Sequence, residues 1–505
     1  MKRNFFLLIG LISFSILKSQ NITDALRYSN ENIEGSARFS ALSGAFGALG
    51  GDLSAIGINP AGSSIFLDNT IGVSFIVNTK KTQNTYFNST VENSYSDFEI
   101  NQLGAVFVWN NNNENSNWKK FTLGINFNTQ NSLNNEFFVV GNNTQSLGDF
   151  FLSAAQGLPL DLLQLRSDES ISDLYAYLGE TEGTYAQNAF LGYQAYIFDP
   201  VEETPNNTAY ISNFGTGTYA QDYAFASNGY IGKYSFNIST QFKDQYYFGI
   251  NFNGHTIDYR HTTFLDENNS NNNSNIKSIY FENHLSVLGN GFSMQLGAIA
   301  KLHENIRVGL TFDTPTWFTI SEETNQYLES TFVEGEDSFS VSINPNIINV
   351  FSDYKLTTPG KISASGAYIF GKSGLISLDY SYKDYASIKF KPSSDSYFQT
   401  LNKTISNSLK GASTIKLGGE YRLQQLSFRA GLQFSESPYK DKSILDDSQG
   451  YSLGIGLNIG NYNLDLAYVR TEQNSKNEIF NSGLTTSYSS IENQNNFLIT
   501  LGINL

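Results

Sequence analysis

Few side chains in this chain are equipped for chemistry, and they are scattered. Cysteine is absent from all 505 residues, which excludes a thiol nucleophile, a thiolate metal site and a disulfide framework. The four histidines, His255, His261, His284 and His303, lie in separate segments. His303-Glu304-Asn305-Ile306-Arg307 lacks the second histidine of a zinc-binding helix and straddles a turn. Gly366-Ala367-Tyr368-Ile369-Phe370-Gly371-Lys372-Ser373 fits the phosphate-loop pattern, which works only between a strand and a following helix. Here Ala364, Tyr368 and Phe370 belong to one alternating strand and Leu375 to Tyr382 to the next, so Gly371-Lys372-Ser373-Gly374 reads as a tight turn. The remaining reactive groups are cations and carboxylates: Lys301, Arg307, Lys416, Arg422 and Arg429, with Asp379, Lys383, Glu420 and Asp465. Arg307, Lys416 and Arg429 are candidates for gripping a carboxylate through charge-assisted bonds. The competing reading is a set of ion pairs that brace the fold, as Glu420 beside Arg422 suggests.

The elements that position these groups alternate apolar and polar residues with a period of two. Leu453, Ile455, Leu457 and Ile459 are separated by Gly454, Gly456 and Asn458, and Phe121, Leu123, Ile125 and Phe127 by Thr122, Gly124 and Asn126. Side chains of a strand point to opposite faces in turn, so each segment has one greasy face and one polar face. Fourteen such segments are predicted, at 69–80, 97–110, 119–131, 228–243, 245–258, 290–303, 305–319, 354–372, 374–388, 409–423, 426–436, 449–460, 462–473 and 494–505. The link after each even-numbered strand is short, and after each odd-numbered strand long, the longest being 132–227. An even strand count with short turns at one end and long loops at the other is the pattern of bacterial outer-membrane barrels. A membrane-crossing strand needs about 9–11 residues, and these meet that length. Trp109, Tyr246, Trp317, Tyr382, Tyr421 and Tyr468 fall near strand ends, where interfacial girdles sit. A secreted sandwich or propeller would use strands about half as long, with a charged outer face.

Composition and the first residues agree with export. Only 15% of residues are charged, against about 25% in a typical soluble domain. A net charge of −16 argues against nucleic acid, whose phosphates attract a basic surface. Lys2-Arg3, an apolar stretch from Phe5 to Leu17, and Ser19-Gln20 together read as a signal peptide over 1–19, too short to span a bilayer. The predicted location is therefore the outer membrane of a Gram-negative bacterium.

Residues 20–67 do not alternate. Ser36-Ala37-Arg38-Phe39-Ser40-Ala41-Leu42-Ser43-Gly44-Ala45-Phe46-Gly47-Ala48-Leu49-Gly50-Gly51-Asp52 is built largely of small residues, and Asn59-Pro60-Ala61-Gly62 is turn chemistry. Such a segment packs compactly inside a fourteen-strand lumen, which side chains alone cannot fill; otherwise it is a periplasmic tail. Ser36 to Gly62 resembles the N-terminal hatch of the FadL-type long-chain fatty acid transporters. Ala37-Arg38, Gly44-Ala45-Phe46, Asp52-Leu53-Ser54-Ala55 and Asn59-Pro60-Ala61-Gly62 match that family's pattern in order. Gly51 stands where an acidic residue is common, and Ile58 where Trp usually precedes the Asn. The resemblance implies an all-β, fourteen-stranded antiparallel transmembrane barrel over 68–505 with a hatch (plug) in its lumen. It also implies hydrophobic ligand captured at the long loops, an internal pocket, and sideways exit beside a kinked strand, placed in strand 3 or its neighbour. Asn59, Pro60, Ala61 and Gly62 carry the hatch motif, and the first three are associated with that passage.

Within 132–227, Phe150, Phe151, Leu158, Leu160, Leu162, Leu163 and Leu165 form an apolar cluster, followed by Leu174, Tyr175, Tyr177 and Leu178. Phe150, Phe151, Leu162 and Leu163 are candidate ligand contacts if this loop is a groove for acyl chains; alternatively it is a lid folded over its own core. The expected function is passive uptake of long-chain fatty acids or similar hydrophobic small molecules. Alternatives are a haem-binding or haem-uptake barrel of the same fold, or a non-transporting structural protein. An enzyme is not expected, and neither is a cofactor or a metal. The expected partners are the hydrophobic ligand, outer-membrane lipid and, during biogenesis, the barrel-assembly machinery, with no nucleic acid and a monomeric barrel.

Overall fold

A computed structural model describes residues 20–32, 34–113 and 115–505; the expected signal peptide lies outside them. Fourteen antiparallel strands form one sheet. The first six are β1 (Thr70–Tyr86), β2 (Ser89–Asn110), β3 (Trp118–Ser132, resuming as Asn135–Asn143), β4 (Tyr219–Phe242), β5 (Tyr246–Asn268) and β6 (Ile276–His303). β7 runs as Ile306–Asp313 and Trp317–Glu334, β8 as Tyr354–Thr357 and Lys361–Ile369, and β9 is Gly374–Asp384. β10 (Gly411–Leu423), β11 (Leu426–Ser435), β12 (Ser448–Ile459), β13 (Tyr462–Glu478) and β14 (Ser487–Asn504) complete the wall. Thr70 of β1 pairs with Asn504 of β14, and that ladder continues to Thr85 opposite Ser489, so the sheet closes into a barrel.

The alternation decides which face meets what. On β10, Ile415 and Leu417 point outward and are exposed, whereas Thr414 and Lys416 line the lumen. Trp109, Tyr246, Trp317, Tyr382 and Tyr421 are all exposed on the outer surface, as girdle residues must be. Tight turns close the hairpins at one end, with Lys243, Gly371, Gln424 and Gly460 at positive φ. The phosphate-loop pattern is one of these turns: Phe370 donates to the carbonyl of Gly374 (2.9 Å), and a strand follows, not a helix.

The strands match their predicted limits at the tight-turn end to within about three residues, and β1, β2, β4, β5, β6, β7, β13 and β14 outrun them at the other. β4 starts at Tyr219 against a predicted 228, and β6 at Ile276 against 290. Beyond the hydrocarbon an outer face need not be apolar, so the stripe ends while the ladder continues. β7 and β8, predicted as continuous, are both broken at the same height, at Pro315 and Pro359, which cannot donate to a ladder. Thr358 N donates to Thr316 O (3.0 Å) and Thr316 N to Thr358 Oγ1 (3.1 Å) across the break.

Two further bodies occupy the barrel. α1 (Ile22–Arg27), α2 (Ala37–Ala41) and short 3-10 turns at Ser54–Gly57 and Pro60–Ile65 lie inside it. α1 shares a core with α6 (Ser396–Ser408), including Tyr354, Phe390, Phe398 and Ile405. Over the long-loop end, α3 (Gly148–Ala155), α4 (Ile171–Thr181) and α5 (Thr184–Gln194) pack with β5 and β6 around Phe151, Leu163, Leu178, Phe190 and Phe281. The 132–227 connection is thus a folded cap, begun by the resumed strand of β3.

Cysteines placed one at a time at Thr414, Ile415 and Leu417 in membrane-embedded protein test this wall. Only Thr414→Cys is expected to react with a water-soluble maleimide; equal labelling of all three would contradict the assigned faces.

Candidate functional site

The inner segment is seated by glycines. A Cβ on Gly249 of β5 would collide with Pro60, one on Gly297 of β6 with Asn59, and one on Gly309 of β7 with Gly47. On the opposite wall, Gly418, Gly431 and Gly454 make the same allowance for Leu42 and Ala41. The polar face of these strands is therefore glycine-rich because backbone packs on it.

Side-chain amides then bind the seated backbone. Asn237 Nδ2 donates to Pro60 O (2.9 Å) and to Asn251 Oδ1 (2.7 Å). Asn251 Nδ2 donates to Ile56 O (2.8 Å), and Gln295 Nε2 to Ile58 O (3.0 Å). Asn59 accepts from Ala61 N (3.1 Å), capping the turn begun by Pro60, while its Nδ2 donates to Gly47 O (2.7 Å) and Ala298 O (3.2 Å). Gly62 closes the loop, its carbonyl accepting from Gly51 N (3.0 Å). Ser36 caps α2 and donates to Asp52 Oδ2 (2.7 Å).

Two of the three candidate carboxylate grips lie in this layer and correct the ligand reading. Arg307 Nη1 donates to Leu49 O (2.9 Å). Arg429 is held between Glu420 (2.7 Å) and Asp465 (2.6 Å), and Glu420 also pairs with Arg38 (3.1 Å) and Arg422 (2.6 Å). Neither lines the cavity above, because the inner segment fills the lumen at their level; Arg429 is a bracing ion pair of the competing reading, and Arg307 braces the segment through a backbone carbonyl.

Above the inner segment is a cavity of 1410 Å³, larger than the ~300–1,000 Å³ of ordinary ligand pockets. Lys416 lines its floor with Lys233, Lys361 and Lys383. Glu31, from the stretch after α1, bonds Lys361 through Oε2 (2.6 Å) and Lys383 through Oε1 (2.9 Å). Burial pushes its carboxyl up, but Lys361, Lys383 and Lys233 more than offset this and hold it well below the usual carboxylate range. The upper wall is aromatic, with Phe137, Phe150, Phe225, Phe281, Phe480 and Tyr488. Of the candidate loop contacts, Phe150 reaches the cavity, Phe151 and Leu163 are buried in the cap's core, and Leu162 packs against it. Glu31, Lys233 and Lys361 were not singled out in the sequence. Lys361 and Lys233 sit on the polar face of alternating segments, which was a usable signal; nothing local marks Glu31.

The barrel wall has a seam. β2 pairs with β3 only from Gln102 opposite Asn128 to Asn110 opposite Lys120. β3 shifts register between Thr129 and Asn131, breaks before Asn135, and above that pairs with β4 alone. The resemblance put a kink in strand 3 or its neighbour; the register shift and break are in strand 3. The inner segment fills the gap: Asn101 Nδ2 donates to Gly35 O (2.7 Å), Asn128 Nδ2 to Glu34 O (3.4 Å) and Asn32 Nδ2 to Asn131 Oδ1 (2.9 Å). Asn134 reaches across to Asp97 (2.8 Å) and Glu99 (2.6 Å). The Asn59-Pro60-Ala61 tip is elsewhere, against β4, β5 and β6. Burial, with Glu99 close by, pushes the Glu34 carboxyl up to about 8.

The histidines do not converge. His255 is buried in the strand wall between Gln130 (2.9 Å) and Ser293 (2.8 Å), and His261 faces the lumen near Tyr259 (3.1 Å). His284 lies opposite Thr262, on the other face of the sheet from His261, and His303 is exposed at a tight turn. All four are strand residues. One nucleophile-elbow pattern, Gly450-Tyr451-Ser452-Leu453-Gly454, lies mid-strand in β12, where Ser452 Oγ donates to Ala41 O (2.9 Å) and holds the inner segment. Among the described residues, no group of three or more metal-binding side chains is found.

This fold is that of a plugged outer-membrane barrel. It is similar to the crystal structure of a FadL homologue of Pseudomonas aeruginosa, with a TM-score of 0.52 and 11% identity over 94% of this chain and 99% of that one. The toluene transporter TodX of Pseudomonas putida matches with a TM-score of 0.50 and 11% identity, over 95% and 99% of the two chains. No protein-family model matches the sequence, and no curated protein does. The likeness shows the FadL-type fold with its plug, which the N-terminal resemblance anticipated.

Two measurements test the seat. Gly249→Val drives a side chain into Pro60, an overpacking worth about 1–3 kcal/mol. It should expose the 20–67 segment to protease while the barrel keeps its heat-modifiable migration. For Glu34, seating raises the pKa, so ionisation opposes seating: the seat is firm below the free value near 4.5 and weakens as pH climbs toward about 8. Measured against a free thiol at the same pH, maleimide labelling of Asn32→Cys should therefore quicken between about pH 5 and about pH 9, and Glu34→Gln should remove that excess.

Proposed function

We propose that the protein is a passive outer-membrane channel for long-chain fatty acids or similar hydrophobic small molecules, closed at rest by its N-terminal hatch. The observation that carries this reading is the path itself: a cavity with an aromatic upper wall and a lysine floor adjoins a wall seam closed by hatch residues. Burying an acyl chain against the upper aromatics is favourable at about 25 cal/mol per Å², and a lysine floor suits the carboxylate that a fatty acid carries. A neutral hydrocarbon such as the toluene named for TodX gives the lysines nothing to pair with, which favours the fatty acid. The seam between β2 and β3 would let ligand leave sideways into the bilayer, without crossing the hatch layer below. Asn59, Pro60 and Ala61 act in this scheme as the anchor against which residues 30–32 and 34–36 move. The chain is exported by a signal peptide over 1–19, inserted by the barrel-assembly machinery and works as a monomer without a cofactor; it is not an enzyme.

The chain has no cysteine, so an Asn32→Cys, Asn131→Cys pair forms a clean disulfide between hatch and β3. If the hatch must leave the seam, the oxidised pair should cut uptake of radiolabelled oleate more than about fivefold, with recovery on reduction. Uptake unchanged by oxidation would reject the seam as the exit.

A further inference from the structure

The cavity floor already holds one carboxylate that belongs to the hatch. Glu31 spans two lysines from different strands, Lys361 of β8 and Lys383 of β9, with one oxygen on each. Its side chain is 37% exposed, although both ammonium groups are nearly covered. Lys383 also donates to Ser29 O (3.0 Å), so the same lysine grips hatch backbone. The other groups facing this floor are Asp313, which pairs with Lys361 (3.1 Å), and the lysines Lys233 and Lys416. Among the described residues, neither Lys233 nor Lys416 has a carboxylate within 4.0 Å. Asp379, opposite Lys416 in the ladder, is the third carboxylate here; four cations thus face three anions, and the floor has room for another negative charge. Three and four residues on, Glu34 and Gly35 accept the bonds that close the seam.

We propose that Glu31 is a built-in stand-in for the ligand's headgroup, and that an incoming carboxylate opens the hatch by taking its place between Lys361 and Lys383. This rests on the channel reading and adds to it the ligand class, an anionic amphiphile, and the trigger. The exchange is like for like: one carboxylate leaves the lysine pair as another arrives, so the two ammonium groups are never left unpaired. A ligand shifts a two-state element only by its differential affinity for the two states. A carboxylate binds better once Glu31 has left, whereas a neutral alcohol of the same chain length does not compete with it. Loss of Glu31 from the floor slackens residues 29–32, 34 and 35, and with them the plug of the β2–β3 seam.

The test uses the full barrel in detergent, with dodecanoate and dodecan-1-ol as probes and heat-modifiable migration as the folding check. Glu31→Gln removes the internal competitor, so dodecanoate should bind at least about threefold tighter than to wild type, with dodecan-1-ol unchanged. Lys383→Gln should weaken dodecanoate alone. In wild type carrying Asn32→Cys, dodecanoate but not dodecan-1-ol should speed maleimide labelling. Equal or weaker dodecanoate binding by folded Glu31→Gln, with dodecan-1-ol still bound, overturns the stand-in and leaves the channel reading in place. Failure of both probes to bind wild type overturns both. If Glu31→Gln does not fold, the Lys383→Gln and labelling results decide, and equal effects of the two probes there overturn the proposal.

Discussion

Everything in this molecule descends from one requirement: inside hydrocarbon, each backbone N–H and C=O must find a partner within the protein. A sheet meets it only by closing, and β1 on β14 is that closure. Closure at fourteen strands has a cost in geometry, because the lumen is then too wide for wall side chains to fill. The chain solves this with its own N-terminal segment. That segment brings unpaired backbone of its own, which the ring of Asn237, Asn251 and Gln295 satisfies. The amide ladder is the hydrogen-bond analogue of the closed sheet, turned inward.

The filling stops partway, and where it stops decides what the barrel can hold. Below, lumen-facing glycines admit backbone, and buried ion pairs and amides tie the hatch to the wall. Above, the same strands carry lysines and then aromatics, and space opens. The wall itself is weakest at the boundary between these zones. β3 parts from β2 above Asn128, and β7 and β8 break at prolines, so the continuous ladder gives way at the height where the cavity begins. A closed barrel has no free edge to lose; a seam filled by a separate segment restores one that can be opened.

Much of the barrel was legible because a period of two is a strong constraint whenever one face must be apolar. The strands from Leu426–Ser435 and Ser448–Ile459 match their predicted limits within a residue or so, since lipid reads both ends of the stripe. The extensions of β4 and β6 were hidden because water makes no such demand on them. The cap helices were visible as apolar spacing in 132–227, but whether Phe151 and Leu163 faced ligand or each other depends on tertiary packing. Residue type marked Arg307 and Arg429 as anion grips; Arg429 holds carboxylates of the wall and Arg307 a hatch carbonyl, because the sequence does not state how high in the lumen the hatch reaches. Glu31 carried no mark at all: a single acid among Asn30 and Asn32 acquires its role only when two strands bring Lys361 and Lys383 to it.

The division of cations between the two zones follows from the side chains themselves. Arginine's planar fork fixes several bonds at once and suits a pair that must not exchange, as Arg429 does between Glu420 and Asp465 in the hatch layer. Lysine is a compact, strongly hydrated point charge on a flexible stem, and gives up one oxygen for another with little geometric penalty. Arg38, Arg307, Arg422 and Arg429 stand where the hatch is held, with Lys120 on Phe66 O, while the wall cations of the cavity floor are Lys233, Lys361, Lys383 and Lys416; Arg27, which also lines the cavity, belongs to α1. A floor of arginines would grip Glu31 in a bidentate fork and make the exchange slow. With lysines, the same charge attracts an anion and still lets it go, which a passive path requires of every site along it.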